Sequence, residues 1–114
     1  MTVKEAIALA MNFPEVVQAP HFERTSFRVK KKIFATLDVK KKRVVVKLSA
    51  IDQSVFIAYD SSVIFPVPGA WGKQGWTIIE LEKVRKTMFQ DALQTAYCTV
   101  APKALAGLVN KTAS

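Results

Sequence analysis

Ser26-Phe27-Arg28-Val29-Lys30-Lys31-Lys32-Ile33-Phe34-Ala35-Thr36-Leu37-Asp38-Val39-Lys40-Lys41-Lys42-Arg43-Val44-Val45-Val46-Lys47-Leu48 decides the fold, because apolar and polar residues alternate through it with period two. Phe27 and Val29 alternate with Ser26 and Arg28, then Ile33, Ala35 and Leu37 with Phe34, Thr36 and Asp38, then Val44, Val46 and Leu48 with Arg43, Val45 and Lys47. Three half-buried strands with this alternation, separated by charged runs, predict an antiparallel meander. The two lysine runs are the turns, and their lengths suit hairpin connections of three to five residues. Neither turn contains glycine or Asn-Gly, so the turn type stays open.

Upstream, Thr2-Val3-Lys4-Glu5 has capping-box spacing and starts a helix whose buried face is Val3, Ala6, Ile7, Ala10 and Met11. Asn12 and Pro14 end it, and residues 12 to 25 are expected to be mostly loop with a short strand near His21-Phe22. Downstream, Ser49-x-x-Asp52 caps a second helix over 50–59, with Ile51, Val55, Ala58 and Tyr59 as its apolar face. Val63 to Pro66 is expected as an edge strand, because Pro66 and Pro68 deny two donors to a ladder. Trp76 to Leu81 follows as a strand after a glycine-rich stretch. A long helix is expected from Glu82 to Val100, with Val84, Met88, Ala92, Ala96 and Val100 repeating at i+4, as the main packing partner of the sheet. Pro102 breaks it, Ala104 to Val109 add a final turn or two, and the polar tail from Asn110 is expected to fray. The whole reads as one domain over residues 1–114, of α+β class: an antiparallel β-sheet with helices packed on it, in the order α-β-β-β-α-β-β-α.

Several segments together resemble the bacterial MmcQ/YjbR-like family: Pro20-His21-Phe22, Thr25-Ser26-Phe27-Arg28-Val29, Lys32 to Leu37, Pro68-Gly69-Ala70-Trp71-Gly72-Lys73-Gln74-Gly75-Trp76-Thr77 and Val100-Ala101-Pro102-Lys103. The stretch Trp71-Gly72-Lys73-Gln74-Gly75-Trp76-Thr77 is the most specific part. The resemblance implies a CyaY-like α+β topology, and the function usually proposed for the family is DNA binding through two projecting hairpin wings. The acids are scattered singly, and no helix presents the row of carboxylates that CyaY-like iron-binding proteins use.

The charge pattern points the same way on its own grounds. Ten basic side chains and one acid, Asp38, lie between Arg24 and Lys47, within a chain of net charge +8. Lys30, Lys31, Lys32, Lys40, Lys41, Lys42 and Arg43 are the candidate phosphate contacts, with Arg24, Arg28 and Lys73 flanking, and double-stranded DNA is the expected partner. Arg28 and Arg43 add the possibility of bidentate contacts to phosphate or guanine. The plainer alternative is that lysines at hairpin tips only solubilise the turns and deter edge-to-edge pairing, leaving a non-catalytic protein-interaction or adaptor domain. Turns at the two ends of one strand face opposite ways, which counts against one shared patch unless the sheet is strongly twisted.

Trp71 and Trp76 suit base stacking, although aromatics among glycines more often pack a loop onto its own core. The glycine spacing matches neither the dinucleotide nor the P-loop fingerprint. His21 and Cys98 are the sole histidine and cysteine, so no metal site and no Cys-His nucleophile is expected. Cys98 is expected half-buried in its helix, and His21 is expected to fix a loop by hydrogen bonding. The expectations are therefore no enzyme activity, no cofactor, a monomer or weak dimer, and no membrane span. One unpaired cysteine and the lack of a signal-peptide layout place the chain in the cytoplasm.

Overall fold

The computed structural model describes residues 1–110. Its elements in order are α1 (Val3–Met11), β1 (Val16–His21), β2 (Arg24–Val29), β3 (Lys32–Asp38), β4 (Arg43–Lys47), α2 (Ala50–Tyr59), β5 (Ile64–Pro66), α3 (Ala70–Lys73), β6 (Trp76–Glu80), α4 (Lys86–Val100) and α5 (Lys103–Asn110). The strands form one six-stranded sheet, in the order β1-β2-β3-β4-β6-β5, and every pairing in it is antiparallel. The expected α+β class and the meander β2-β3-β4 are present. The expected frayed tail over 111–114 lies outside the described residues.

The helix starts obey the capping chemistry. Thr2 Oγ1 accepts from the Glu5 amide at 3.1 Å while the Thr2 amide donates to Glu5 Oε1 at 3.2 Å, and Ser49 Oγ accepts from the Asp52 amide at 3.1 Å. The hydrogen bonds from Thr2 hold the Glu5 carboxyl below its usual range. Helix α4 starts at Lys86 rather than near Glu82, because the chain first makes a turn in which the Lys83 and Val84 amides both donate to the Glu80 carbonyl. Val84 still packs into the core from this turn, which is why the i+4 pattern extends upstream of the helix.

One face of the sheet carries the core. Phe27, Leu37, Val44, Val46 and Ile79 are at most 2% exposed, and α4 lies across β3 and β4 with Phe89, Leu93, Ala96 and Tyr97 buried against them. Phe13 stacks on Tyr97 at 4.9 Å between ring centroids, Phe34 meets Tyr97 edge-on at 5.4 Å, and the Tyr97 hydroxyl donates to the Pro14 carbonyl at 2.7 Å.

Three further expectations need correction. Residues 16–21 form a full edge strand, longer than the short one expected near His21-Phe22, paired with β2 from Val16↔Val29 to His21↔Arg24. Its outer position is what accommodates Pro20, which has no donor to offer. The β2–β3 register jumps from Phe27↔Ala35 to Arg28↔Ile33, so Phe34 is the extra residue of a β-bulge. The bulge turns Phe34 into the core beside Ala35 and Leu37 and leaves Ile33 on the other face, overriding the simple alternation. Finally, Ile51, Val55, Ala58 and Tyr59 are the exposed side of α2, which instead packs Phe56 and Ile57 on the core.

Candidate nucleic-acid interface

The β2–β3 turn has only two residues, shorter than expected, with Val29 opposite Lys32. Lys30 and Lys31 have φ of 49° and 71°, so both lysines occupy the left-handed region that a tight hairpin demands and that glycine or asparagine fills most easily. Holding two L side chains there costs on the order of 1–2 kcal/mol each. The β3–β4 connection runs from Val39 to Lys42, with the Lys41 amide on Asp38 Oδ1 at 3.1 Å and Lys42 at φ 54°.

These turns lie at opposite ends of the seven-residue strand β3, about 20 Å apart at the usual rise of a strand. That separation exceeds the ~12 Å width of a DNA major groove, so adjacent tips flanking one groove are not what the fold presents. The ends differ in composition. At one, Lys30, Lys31 and Lys32 stand at the end of the sheet where β4 finishes with Lys47, and Lys30 meets Glu15 at 2.8 Å. At the other, Lys42 meets Glu82 at 3.2 Å, Arg24 approaches Asp38 at 3.9 Å and Arg43 is ion-paired to Glu80 across the β4–β6 ladder. Lys31, Lys32, Lys40, Lys41, Arg28 and Lys73 make no ion pair within the described residues. The pairs made by Lys30 and Lys42 join exposed side chains and are worth well under about 1 kcal/mol, so they open readily to a phosphate.

The arginines are not turn-tip residues at all. Arg24, Arg28 and Arg43 stand on the sheet face opposite the core, where Arg28 Nε donates to Ser26 Oγ at 3.0 Å and the Arg43 guanidinium sits 5.8 Å from the Phe65 ring centre. This face opens as a hollow of about 510 Å³ lined by no residue of α1, α2, α4 or α5. Ile33, Val45 and Val67 give it an apolar floor, Trp71 and Trp76 its aromatic walls, and His21, Arg24 and Thr36 its polar groups. Two smaller hollows, of about 330 and 240 Å³, lie among the helices.

Trp71 does not pack onto a core of its own loop, as aromatics among glycines usually do: it is 61% exposed. Gly72 and Gly75 hold the loop in place, since a Cβ on Gly72 would meet the Val67 carbonyl oxygen at 2.0 Å. Lys47 Nζ lies 5.4 Å from the Trp76 ring centre and donates to the Gln74 carbonyl. The His21 ring makes an edge contact with Phe22 at 4.9 Å and its imidazole makes no hydrogen bond within the described residues, so the side chain does not fix a loop in the way expected. Cys98 is half-buried in α4 on the core side of the sheet, away from His21, and burial pushes its thiol up from the usual value, against a reactive thiolate. No group of three His, Cys, Asp or Glu among the described residues could hold a metal ion, and no described helix is long and apolar enough to cross a membrane.

The model of the YjbR family matches residues 11–99. The chain belongs to the YjbR family. The solved Deinococcus radiodurans protein DR2400, a DUF419 domain, shares the fold at a TM-score of 0.78 and 19% identity, over 96% of this chain and 88% of that one. No curated protein matches the chain. The segments that carry the family resemblance converge in space: His21 comes from one and Trp71 and Trp76 from another, and all three line the same hollow. The sequence gives no sign of this hollow, because only a short strand near His21-Phe22 is expected where β1 runs from Val16 to His21 beside β2.

Proposed function

We propose that this YjbR-family protein is a non-catalytic nucleic-acid-binding domain that holds the phosphate backbone at the basic ends of β3, with duplex DNA the expected form. The observation that carries this reading is the Lys30-Lys31 turn. Lysines that serve only for solubility can stand at any exposed position, whereas these two occupy left-handed backbone at an energetic cost that an Asn-Gly pair would avoid. The unpaired Lys31, Lys32, Lys40 and Lys41 supply further contacts, and backbone contacts of this kind give affinity without sequence preference. Because the ends are about 20 Å apart, the nucleic acid crosses the open sheet face instead of sitting under two adjacent wings.

The test is a titration of fluorescein-labelled duplex DNA at several salt concentrations, beside a variant with Lys30 to Lys32 and Lys40 to Lys42 changed to Gln. Neutralising about four to six phosphates predicts a log K against log salt slope of roughly −4 to −5, which the variant flattens. No binding at low salt would remove the reading.

A protein-interaction or adaptor role is the second reading, favoured by one observation. Ile51, Val55 and Tyr59 form an i, i+4, i+8 stripe on α2 that is 78%, 61% and 72% exposed. If the stripe mediates self-association, sedimentation will show a dimer that Val55→Glu dissociates. A monomer at all concentrations would count against that use of it.

A further inference from the structure

We infer that the hollow on the open sheet face is a seat for one unpaired nucleobase, so that a single-stranded or locally opened stretch binds more tightly than intact duplex held by its phosphates alone. This rests on the phosphate-binding reading above and adds to it a site for the base.

The hollow has the chemistry that a flat, polar-edged aromatic ring requires. Its floor is apolar and its walls are two indoles, one of them 61% exposed and so with ring surface uncovered. Stacking on such walls tolerates any base, because every base has a π-face. Three polar groups converge on the same space. The Thr36 hydroxyl and the His21 imidazole make no hydrogen bond within the described residues, and both are open to the hollow, since no buried side-chain polar atom among those residues lacks a partner. Arg24 is held by Asp38 only at 3.9 Å, a loose contact that leaves its guanidinium able to turn to a phosphate. An apolar pocket with a few convergent, uncommitted polar groups is the usual form of a ligand site.

Charge selects the occupant. Arg24, Arg28, Arg43 and Lys47 stand on this face against Asp38 and Glu80, so the rim favours an anion. An aromatic ring joined to a phosphate satisfies both the indole walls and the cationic rim, whereas an acidic peptide would leave the walls unused. The position fits as well, since the hollow lies between the two basic ends of β3 that hold the backbone. At its margin Phe22 is 95% exposed at φ 58°, a left-handed conformation that is costly for a bulky residue, and it offers a further ring face beside His21. A paired base in a duplex keeps its faces stacked on its neighbours and cannot enter such a site, so the base that fills it comes from a single-stranded or locally opened stretch.

The two tryptophans of the sequence both line the hollow, so tryptophan emission, excited selectively over the two tyrosines, reports on this site alone. The experiment titrates the protein at one fixed salt concentration with a short oligothymidylate, with an abasic sugar-phosphate oligomer of the same length and charge, and with a duplex. Oligothymidylate should quench the emission and bind roughly tenfold or more tighter than the abasic oligomer. Trp71→Ala should erase that advantage and Trp71→Phe should restore most of it. Equal affinity for the base-bearing and abasic oligomers without quenching overturns the base site while leaving the phosphate reading intact. Failure of all three ligands to bind removes both.

Discussion

The Leu48 amide donates to the Gly75 carbonyl at 3.0 Å, and the two backbones lie so close that a Cβ on Gly75 would fall 1.8 Å from the Leu48 carbonyl oxygen. Gly75 also has φ 104°, closed to other residues. Gly75→Ala must therefore push the end of β4 away from the loop that carries Trp71 and Trp76, and a loss of about 3 kcal/mol or more is expected in urea unfolding. Gly107, inside α5, has nothing within 4 Å of its would-be Cβ. Gly107→Ala should stabilise by about 0.5–1 kcal/mol, so the two substitutions should move the midpoint in opposite directions.

The Lys30-Lys31 turn separates stability from binding. Replacing it with Asn-Gly supplies the residues that a two-residue hairpin with two positive φ values prefers, and should stabilise the fold by about 1–2 kcal/mol. The same change removes two cations from one end of β3, so duplex affinity should fall and the salt slope should flatten by roughly two. A variant that gains thermal stability and keeps its full affinity would place the phosphate contacts elsewhere.

The strands β2, β3 and β4 were legible because they alternate and are bounded by charge, and the capped starts of α1 and α2 because Thr2 and Ser49 stand three residues before a matching partner. The strand β1 was legible only near His21, because an edge strand with Gln18 and Pro20 carries little alternation and takes its shape from pairing with β2. The bulge at Phe34 has no local signature. It becomes necessary only when Phe13 and Tyr97, distant in sequence, offer Phe34 a ring-lined place in the core. The turn lysines were readable as exposed cations. The partners of Lys30 and Lys42 were not, since Glu15 and Glu82 reach them only through tertiary structure.

Tyr97 makes stability depend on alkaline pH. Its ring is buried, its hydroxyl donates to the Pro14 carbonyl, and burial raises its pKa above the usual value near 10. Because the folded pKa lies above the unfolded one, the contribution is complete below pH 10 and is lost as pH rises from there through the folded value. Tyr97→Phe removes the hydroxyl, should cost about 1–2 kcal/mol near neutrality by leaving the Pro14 carbonyl short of a partner, and should reduce the fall in stability above pH 10. Unfolding midpoints of both proteins across pH 7 to about 11 read this directly. Parallel curves would assign the alkaline loss to other groups.

Gln53 controls how firmly the aromatic wall stands. From the half-buried side of α2 its Nε2 donates to the Gly72 carbonyl at 2.9 Å and to Thr77 Oγ1 at 3.1 Å, and the Thr77 hydroxyl in turn donates to the Gly75 carbonyl at 3.0 Å. This chain ties α2 to both glycines that bracket the loop between Trp71 and Trp76. Gln53→Leu keeps most of the volume and removes the donors, leaving the Gly72 carbonyl without that partner, so a destabilisation of about 1–2 kcal/mol is expected. The larger effect should be local. Acrylamide should quench the tryptophans more readily in the variant than in the parent under conditions where both are fully folded, because the loop is released while the sheet stays paired. Unchanged quenching with the full loss of stability would mean that Gln53 anchors α2 alone, and that Gly72 and Gly75 hold the loop through backbone packing without its help.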